Sequence, residues 1–349
     1  MIPEALQEAV DRALRDAFGV TTFDDVSALT GGHTSSLVFR IVVHGTPYVM
    51  KIITRPDDPT RHYVSMRAAA EAGVAPRVWY TSVEDKVSIT DFVHAVPLPM
   101  STARLEFPSR LRALHELPPF GRAPFNTTCT FLLNPGPMLE GFLQKCRTAD
   151  ILPPADAQEC FARLEELAAI YPYGDAEMVA SHNDVLKPDN FLFDGRHVWL
   201  VDWEAACLND RYADLAVSAN LVVGNDDEET AYLRVYFGHD PDPYQRARFH
   251  LMQQLSHVFY AMTFLLMSSP AGQPLAERFR TSPDDGAPAM ADPAMPYTEF
   301  QRRVWAREFD LADKPVKLTY GRVHWQRLQH NVRQPRYREA LRIVSERHS

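Results

Sequence analysis

The sequence predicts an α+β chain in two parts: a small β-rich lobe over residues 1–93 and a larger, mostly helical lobe over residues 94–349. Three observations predict it. Short runs of alternating apolar and polar residues, separated by turn residues, fill most of the first ninety or so positions. Beyond Val93 the apolar spacing lengthens to the helical three and four. A run from Ser181 to Leu215 then reads loop–strand–loop, with carboxylates and a carboxamide at the ends of its strands.

Pro3 to Phe18 is expected to be a helix, with proline in its first turn and Leu6, Val10 and Leu14 on one face. A turn-forming stretch from Thr30 to Ser36 leads into a strand, Leu37 to Val43. His44-Gly45 turns the chain, and Tyr48 to Ile53 returns. Thr60 to Ala72 reads as a helix closed by Gly73. Arg77 to Ser82 and Lys86 to Val93 form a second strand pair around Glu84-Asp85. Helices are expected over Thr102–Leu117, Met138–Cys146, Ala155–Ile170, Arg211–Val223, Glu228–Tyr236, Asp242–Met267, Tyr297–Phe309 and Val323–Glu346. The Pro-, Ala- and Asp-rich stretch Ser268 to Pro296 reads as a mobile loop.

The chemistry concentrates between Ser181 and Leu215. His182, Asn183 and Asp184 come first, and Asn190 opens the apolar run Phe191-Leu192-Phe193. Asp194-Gly195 signals a hairpin, and the apolar run Val198 to Val201 delivers Asp202, with Asp214 beyond it. Two carboxylates and an amide on such a scaffold suit phosphoryl transfer from a nucleotide: one carboxylate orients and deprotonates a hydroxyl, and the others hold magnesium against the phosphates. The stretch resembles the catalytic segment of the aminoglycoside phosphotransferase and choline/ethanolamine kinase superfamily. Val-Asp-Trp-Glu, then Asn-Asp and Asp-Leu-Ala, is similar to its choline-kinase branch. The resemblance covers roughly residues 20 to 268. It implies a bilobal protein-kinase-like fold, ATP and magnesium as cofactors, Asp184 as catalytic base, and Asp202 with Asn190 as metal ligands. In the family the amide usually falls five residues after the catalytic Asp, where this chain has Asp189. Either a bulge at Lys187-Pro188 brings Asn190 into place or Asp189 substitutes; the match of Asn-Phe-Leu-Phe from its C-terminal side favours Asn190.

Lys51 shares a strand face with Val49 and Ile53, so its ammonium must find a neutralising partner. The resemblance makes it the phosphate-clamping lysine. Gly31 and Gly32 then allow close backbone approach to phosphate, with Ser35 adding a hydroxyl. Kinases pair that lysine with a helical Glu, and here the following helix offers only Glu71 near its end, with His62 and Arg67 further up. The segment Thr90 to His94, with Asp91 and Val93, resembles the hinge whose backbone groups hold an adenine edge. On the acceptor side, Ser256 to Phe264 resembles the helix that carries the aromatic cage of choline kinases. Tyr260 and Phe264 are its candidate walls, since a quaternary ammonium binds over aromatic faces. Glu204 and Asp210 are candidate anionic contacts for an amine.

The formal charge of −9 argues against a nucleic-acid partner and suits a cationic substrate. The four cysteines lack C-x-x-C pairing, which points to reduced thiols. The N-terminus has no secretory pattern, and the longest apolar stretch is too short to span a bilayer, so a cytoplasmic protein without membrane partners is expected. Nothing here sets an oligomeric state. The expected function is ATP- and magnesium-dependent phosphorylation of a small alcohol, an amino alcohol such as choline or ethanolamine. The alternatives are an aminoglycoside or sugar-like acceptor, and a kinase-shaped nucleotide-binding protein without activity. A protein kinase fits least: Asn183 stands where an Arg commonly senses a phosphorylated loop, and Trp203-Glu204 replaces Phe-Gly.

Overall fold

A computed structural model of the chain describes residues 2–29, 36–56, 58–121, 141, 144, 154–173, 178–186, 188–268, 295–310 and 313–348. All of the expected Met138–Cys146 helix but residues 141 and 144, the glycine turn at residues 30–35 and most of the Pro-rich stretch lie outside them. The chain divides into two compact units, Met1–Arg122 with Val179–Leu208, and Ala123–Met178 with Asn209–Ser349. This grouping puts the Asp184 and Asp202 segment with the β-rich part, whereas the sequence suggested a division at residue 93.

The first unit opens with helix α1 (Gln7–Phe18), ended by Gly19 in the left-handed conformation. Five antiparallel strands follow: β1 (Asp25–Ala28), β2 (Ser36–Val43), β3 (Thr46–Ile53), β4 (Val78–Ser82) and β5 (Val87–Asp91), in the order β1-β2-β3-β5-β4. β1 was hidden from sequence reading because three of its four residues are exposed or polar. Phe39, Ile41, Met50, Ile52 and Ile89 turn to one face of the sheet and bury against Val10 and Leu14 of α1. Helix α2 (Thr60–Glu71) links β3 to β4 and closes at Gly73, at φ +69°. Helix α3 (Met100–His115) follows, and its Phe107 stacks on Phe191 with ring centroids 3.7 Å apart.

Helix α4 (Pro154–Ile170) belongs to the second unit. Strand β6 (Met178–Ser181) pairs with β9 (Cys207–Asp210), and β7 (Phe191–Phe193) with β8 (Val198–Leu200). The expected hairpin at Asp194-Gly195 forms: Gly195 takes φ +95°, and the Asp194 carboxylate accepts from the backbone N–H of Arg196 and His197.

The second unit continues with α5 (Arg211–Val222), α6 (Asp226–Phe237), α7 (Pro243–Ser268), α8 (Tyr297–Trp305), α9 (Lys314–Val332) and α10 (Pro335–His348). The predicted single helix Val323–Glu346 is two helices, since Pro335 has no N–H to continue the ladder. α7 packs on α9, and Gly321 permits the approach: a Cβ there would meet Leu265 Cγ at 2.8 Å. Arg248, buried on α7, donates to Asp210 Oδ2 at 2.6 Å, and Tyr171 donates to the same oxygen at 3.0 Å. Asp210 Oδ1 also caps α5 by accepting from Tyr212 N. Asp210 therefore holds the helical unit together, in place of the amine-binding role considered for it. Cys160 is a buried free thiol. Among the described residues no helix is long and apolar enough to cross a membrane.

Candidate active site

The chain enters the site at His182, fully buried at the end of β6. Its Nε2 lies 2.9 Å from Val201 O, and its Nδ1 3.3 Å from Asp184 N. A carbonyl only accepts, so Nε2 carries the proton and Nδ1 accepts from the Asp184 amide. The imidazole thus pins the Asp184 backbone to the chain just before Asp202, with Trp203 edge-on at 4.7 Å. Asn183 adopts φ +64°, a conformation asparagine tolerates better than most residues, and Asp202 adopts φ +67°. Two left-handed non-glycine residues cost about 1–3 kcal/mol each and persist only where their surroundings hold them. For Asn183 the hold is its amide, which donates toward Ala205 O and Cys207 Sγ at 3.3 and 3.2 Å.

Asn190 is 5% exposed, and its Nδ2 donates to Asp184 O at 2.7 Å and to Asp184 Oδ2 at 3.0 Å. Its backbone carbonyl accepts from Val201 N at 3.0 Å, so the loop carrying Asp184 is stitched to the residue preceding Asp202. Asp189 is exposed. A short 3-10 turn, Pro188–Asn190, takes up the additional residue and directs the Asn190 side chain inward. With its nitrogen engaged by Asp184, the Asn190 amide has its oxygen left to offer a cation. Asp202 adds carboxylate oxygen, and this all-oxygen donor set fits magnesium.

Asp202 Oδ1 accepts from Lys51 Nζ at 2.8 Å, with both side chains about four-fifths buried. Val49 and Lys51 face away from the α1-covered side of β3, where Tyr48, Met50 and Ile52 are buried, as alternation predicts. Glu71 is exposed at the end of α2 and is no partner in this arrangement. α2 presents His62 near the Lys51–Asp202 pair instead, and burial together with the Lys51 charge brings its pKa down to about 3. No motif in the sequence gives His62 a role. Nor does one mark Arg61, which donates to the backbone carbonyls of Glu204 and Ala206 and clamps the turn after Asp202. The basic pair Arg61-His62, ten residues after Lys51, was the available signal.

Glu204 accepts from Arg55 at 3.0 Å, so the carboxylate considered for an amine already faces a cation. Asp91 receives Trp79 Nε1 at 2.6 Å on its carboxylate, and its backbone N–H donates to Arg77 O. Val93 O accepts from Ala95 N, and Val96 N donates to Phe193 O, which fixes the extended segment after β5. Gly31, Gly32 and Ser35 lie outside the described residues. Tyr260 and Phe264 belong to the helical unit. Tyr260 is 6% exposed and packs on Phe264 and His324, while Phe264 meets Tyr320 at 4.8 Å. The first unit thus brings together Lys51, Asp184, Asn190 and Asp202, and the two aromatic residues sit in a packed cluster of the second.

A sequence model of the phosphotransferase enzyme family matches residues 25–250. The chain is similar in fold to a choline/ethanolamine kinase family protein from Mesorhizobium loti, with TM-score 0.62, 18% identity, and 98% of this chain and 99% of that chain covered. It is also similar to a choline kinase from Cryptosporidium parvum (TM-score 0.52, 12% identity, 81% and 87% covered). A macrolide 2'-phosphotransferase from Brachybacterium faecium gives TM-score 0.53 at 17% identity, with 79% and 96% covered. No curated protein sequence matches the chain.

Proposed function

This chain belongs to the phosphotransferase enzyme family of small-molecule kinases, and on that premise we propose that it phosphorylates a small alcohol from ATP with Asp184 as the base. One observation carries the assignment: Lys51 meets Asp202 at 2.8 Å in the unit where Asn190 bonds Asp184 at 3.0 Å. In this reading Asp184 orients the acceptor hydroxyl and takes its proton as that oxygen bonds to the γ-phosphorus. The bond from the γ-phosphorus to the bridging oxygen breaks, and ADP leaves. Lys51 exchanges part of its contact with Asp202 for the nucleotide phosphates. Asp202 and the side-chain oxygen of Asn190 would hold magnesium, which supplies charge neutralisation on the phosphate oxygens. The segment Asp91–Val93 serves the adenine edge, and Gly31, Gly32 and Ser35 the phosphates.

For the acceptor we retain an amino alcohol such as choline or ethanolamine, supported by the Asp-Trp-Glu segment and the acidic charge balance. A second reading, an aminoglycoside or sugar-like alcohol, gains from the pairing of Glu204 with Arg55 and the packing of Tyr260. Both features leave less for a quaternary ammonium, whose aromatic walls contribute about 0.5–2 kcal/mol each. Specificity constants for choline, ethanolamine and an aminoglycoside, measured side by side, decide between them. Phosphorylation of the aminoglycoside alone rejects the amino alcohol and leaves the kinase chemistry standing.

A further inference from the structure

A cavity of about 380 Å³ opens within the helical unit, walled by α5, α6, α7, α8, α9 and α10, a size that suits a metabolite. Its charges are unevenly matched. Arg336, Asp226 and Glu229 form one wall, where Arg336 donates to both carboxylates and satisfies them. Arg327 stands on another wall, half-buried, and among the described residues it has no hydrogen bond or ion pair. Its charge acts on His250, His257 and Tyr297, which line the same space. His250 is 6% exposed, and neither ring nitrogen makes a well-formed hydrogen bond, although Gln253 lies alongside. A buried imidazole with no closer partner than Gln253 calls for a hydrogen-bonding occupant, and the unpaired guanidinium across the cavity sets the sign of charge that occupant should carry.

The geometry points to a binding site for a small carboxylate- or phosphate-bearing metabolite in this cavity, with Arg327 as its anion contact and His250 as a neutral hydrogen-bonding partner. A planar guanidinium suits either anion in a two-pronged contact, and a neutral imidazole offers one donor and one acceptor. A cation is the poorer occupant, because the two acids of the lining already share Arg336. This inference uses none of Lys51, Asp184, Asn190 and Asp202, so it stands apart from the phosphotransfer reading.

Inorganic phosphate and acetate are the probes, titrated against the full chain by calorimetry at constant ionic strength, with choline chloride as the cationic control. At least one anion should bind wild-type protein saturably, and Arg327→Gln should weaken it at least ten-fold. Arg327→Lys, which keeps the charge, should lose less than Arg327→Gln, and unchanged circular dichroism shows that both variants fold. Relative strength of phosphate and acetate separates the two anion classes. The proposal is overturned if neither anion binds, if Arg327→Gln binds as well as wild type, or if choline binds in an Arg327-insensitive manner while the anions do not. Phosphate held only by the nucleotide site is insensitive to Arg327 and counts against it.

Discussion

Asp184 and Asn190 are six positions apart in the sequence and one hydrogen bond apart in space. That contact makes Asn190 a positioning group for the base as well as a candidate metal ligand. Asp184→Asn should retain nucleotide binding and lose about 10²- to 10⁴-fold in turnover, the usual worth of a positioned acid or base. Turnover near wild type would remove Asp184 from the mechanism. Asn190→Ala should raise the magnesium concentration needed for half-maximal rate by about 10–100-fold, on the scale of lost support around a metal. Asp189→Ala, at an exposed position, should leave it unchanged; the opposite ranking would reassign the ligand. Lys51, Asp184, Asn190 and Asp202 were legible because each ends a strand or stands in a fixed order relative to one. Arg61, His62 and the Glu204–Arg55 pair were not, because they come from a helix and a loop far from the motif in sequence, and tertiary placement alone unites them.

At the scale of elements, α7 shows where helical spacing leaves a choice open. Tyr260 and Phe264 are one turn apart, which fits a cage wall and a core stripe equally well. The structure places Tyr260 against Phe264 and His324, in contact with residues from α9. Tyr260→Ala should cost about 3–5 kcal/mol of stability, as for other large buried aromatics, and urea denaturation measures it. Michaelis constants for acceptors should stay within two-fold, on the order of the noise expected for a group outside the site. A large rise in Michaelis constant without loss of stability would restore the cage. Strand β1 and the break at Pro335 mark the limits of pattern reading. β1 earns its place by pairing with β2 rather than by its own composition, and the proline break was masked by apolar residues that keep helical spacing on both sides.

For the molecule as a whole, buried histidines set an acid limit on stability. His250 and His324 have pKa values lowered by burial from 6.5 to about 3, so the folded state keeps them neutral where the unfolded chain would protonate them. Their contribution is fully present above pH 6.5 and is lost as pH falls from there toward 3, by up to about 1.4 kcal/mol per pH unit for each group. Urea midpoints at pH 7.5 and 5.5 should therefore differ, and His324→Phe should narrow the difference; an equal or wider gap in the variant contradicts this. The α+β class, a sheet followed by helices, was legible because strand and helix periods differ, and the grouping of residues 179–208 with the sheet was not, because it depends on long-range contacts such as Val96 N to Phe193 O. The central claim is phosphoryl transfer to an alcohol through Asp184. Release of ADP from magnesium-ATP, followed across choline, ethanolamine, an aminoglycoside, a neutral polyol and a hydroxy acid, tests it most directly. At least one alcohol should raise release in the wild-type protein about 100-fold or more above the Asp184→Asn variant. Equal rates in the two proteins with every acceptor would contradict it.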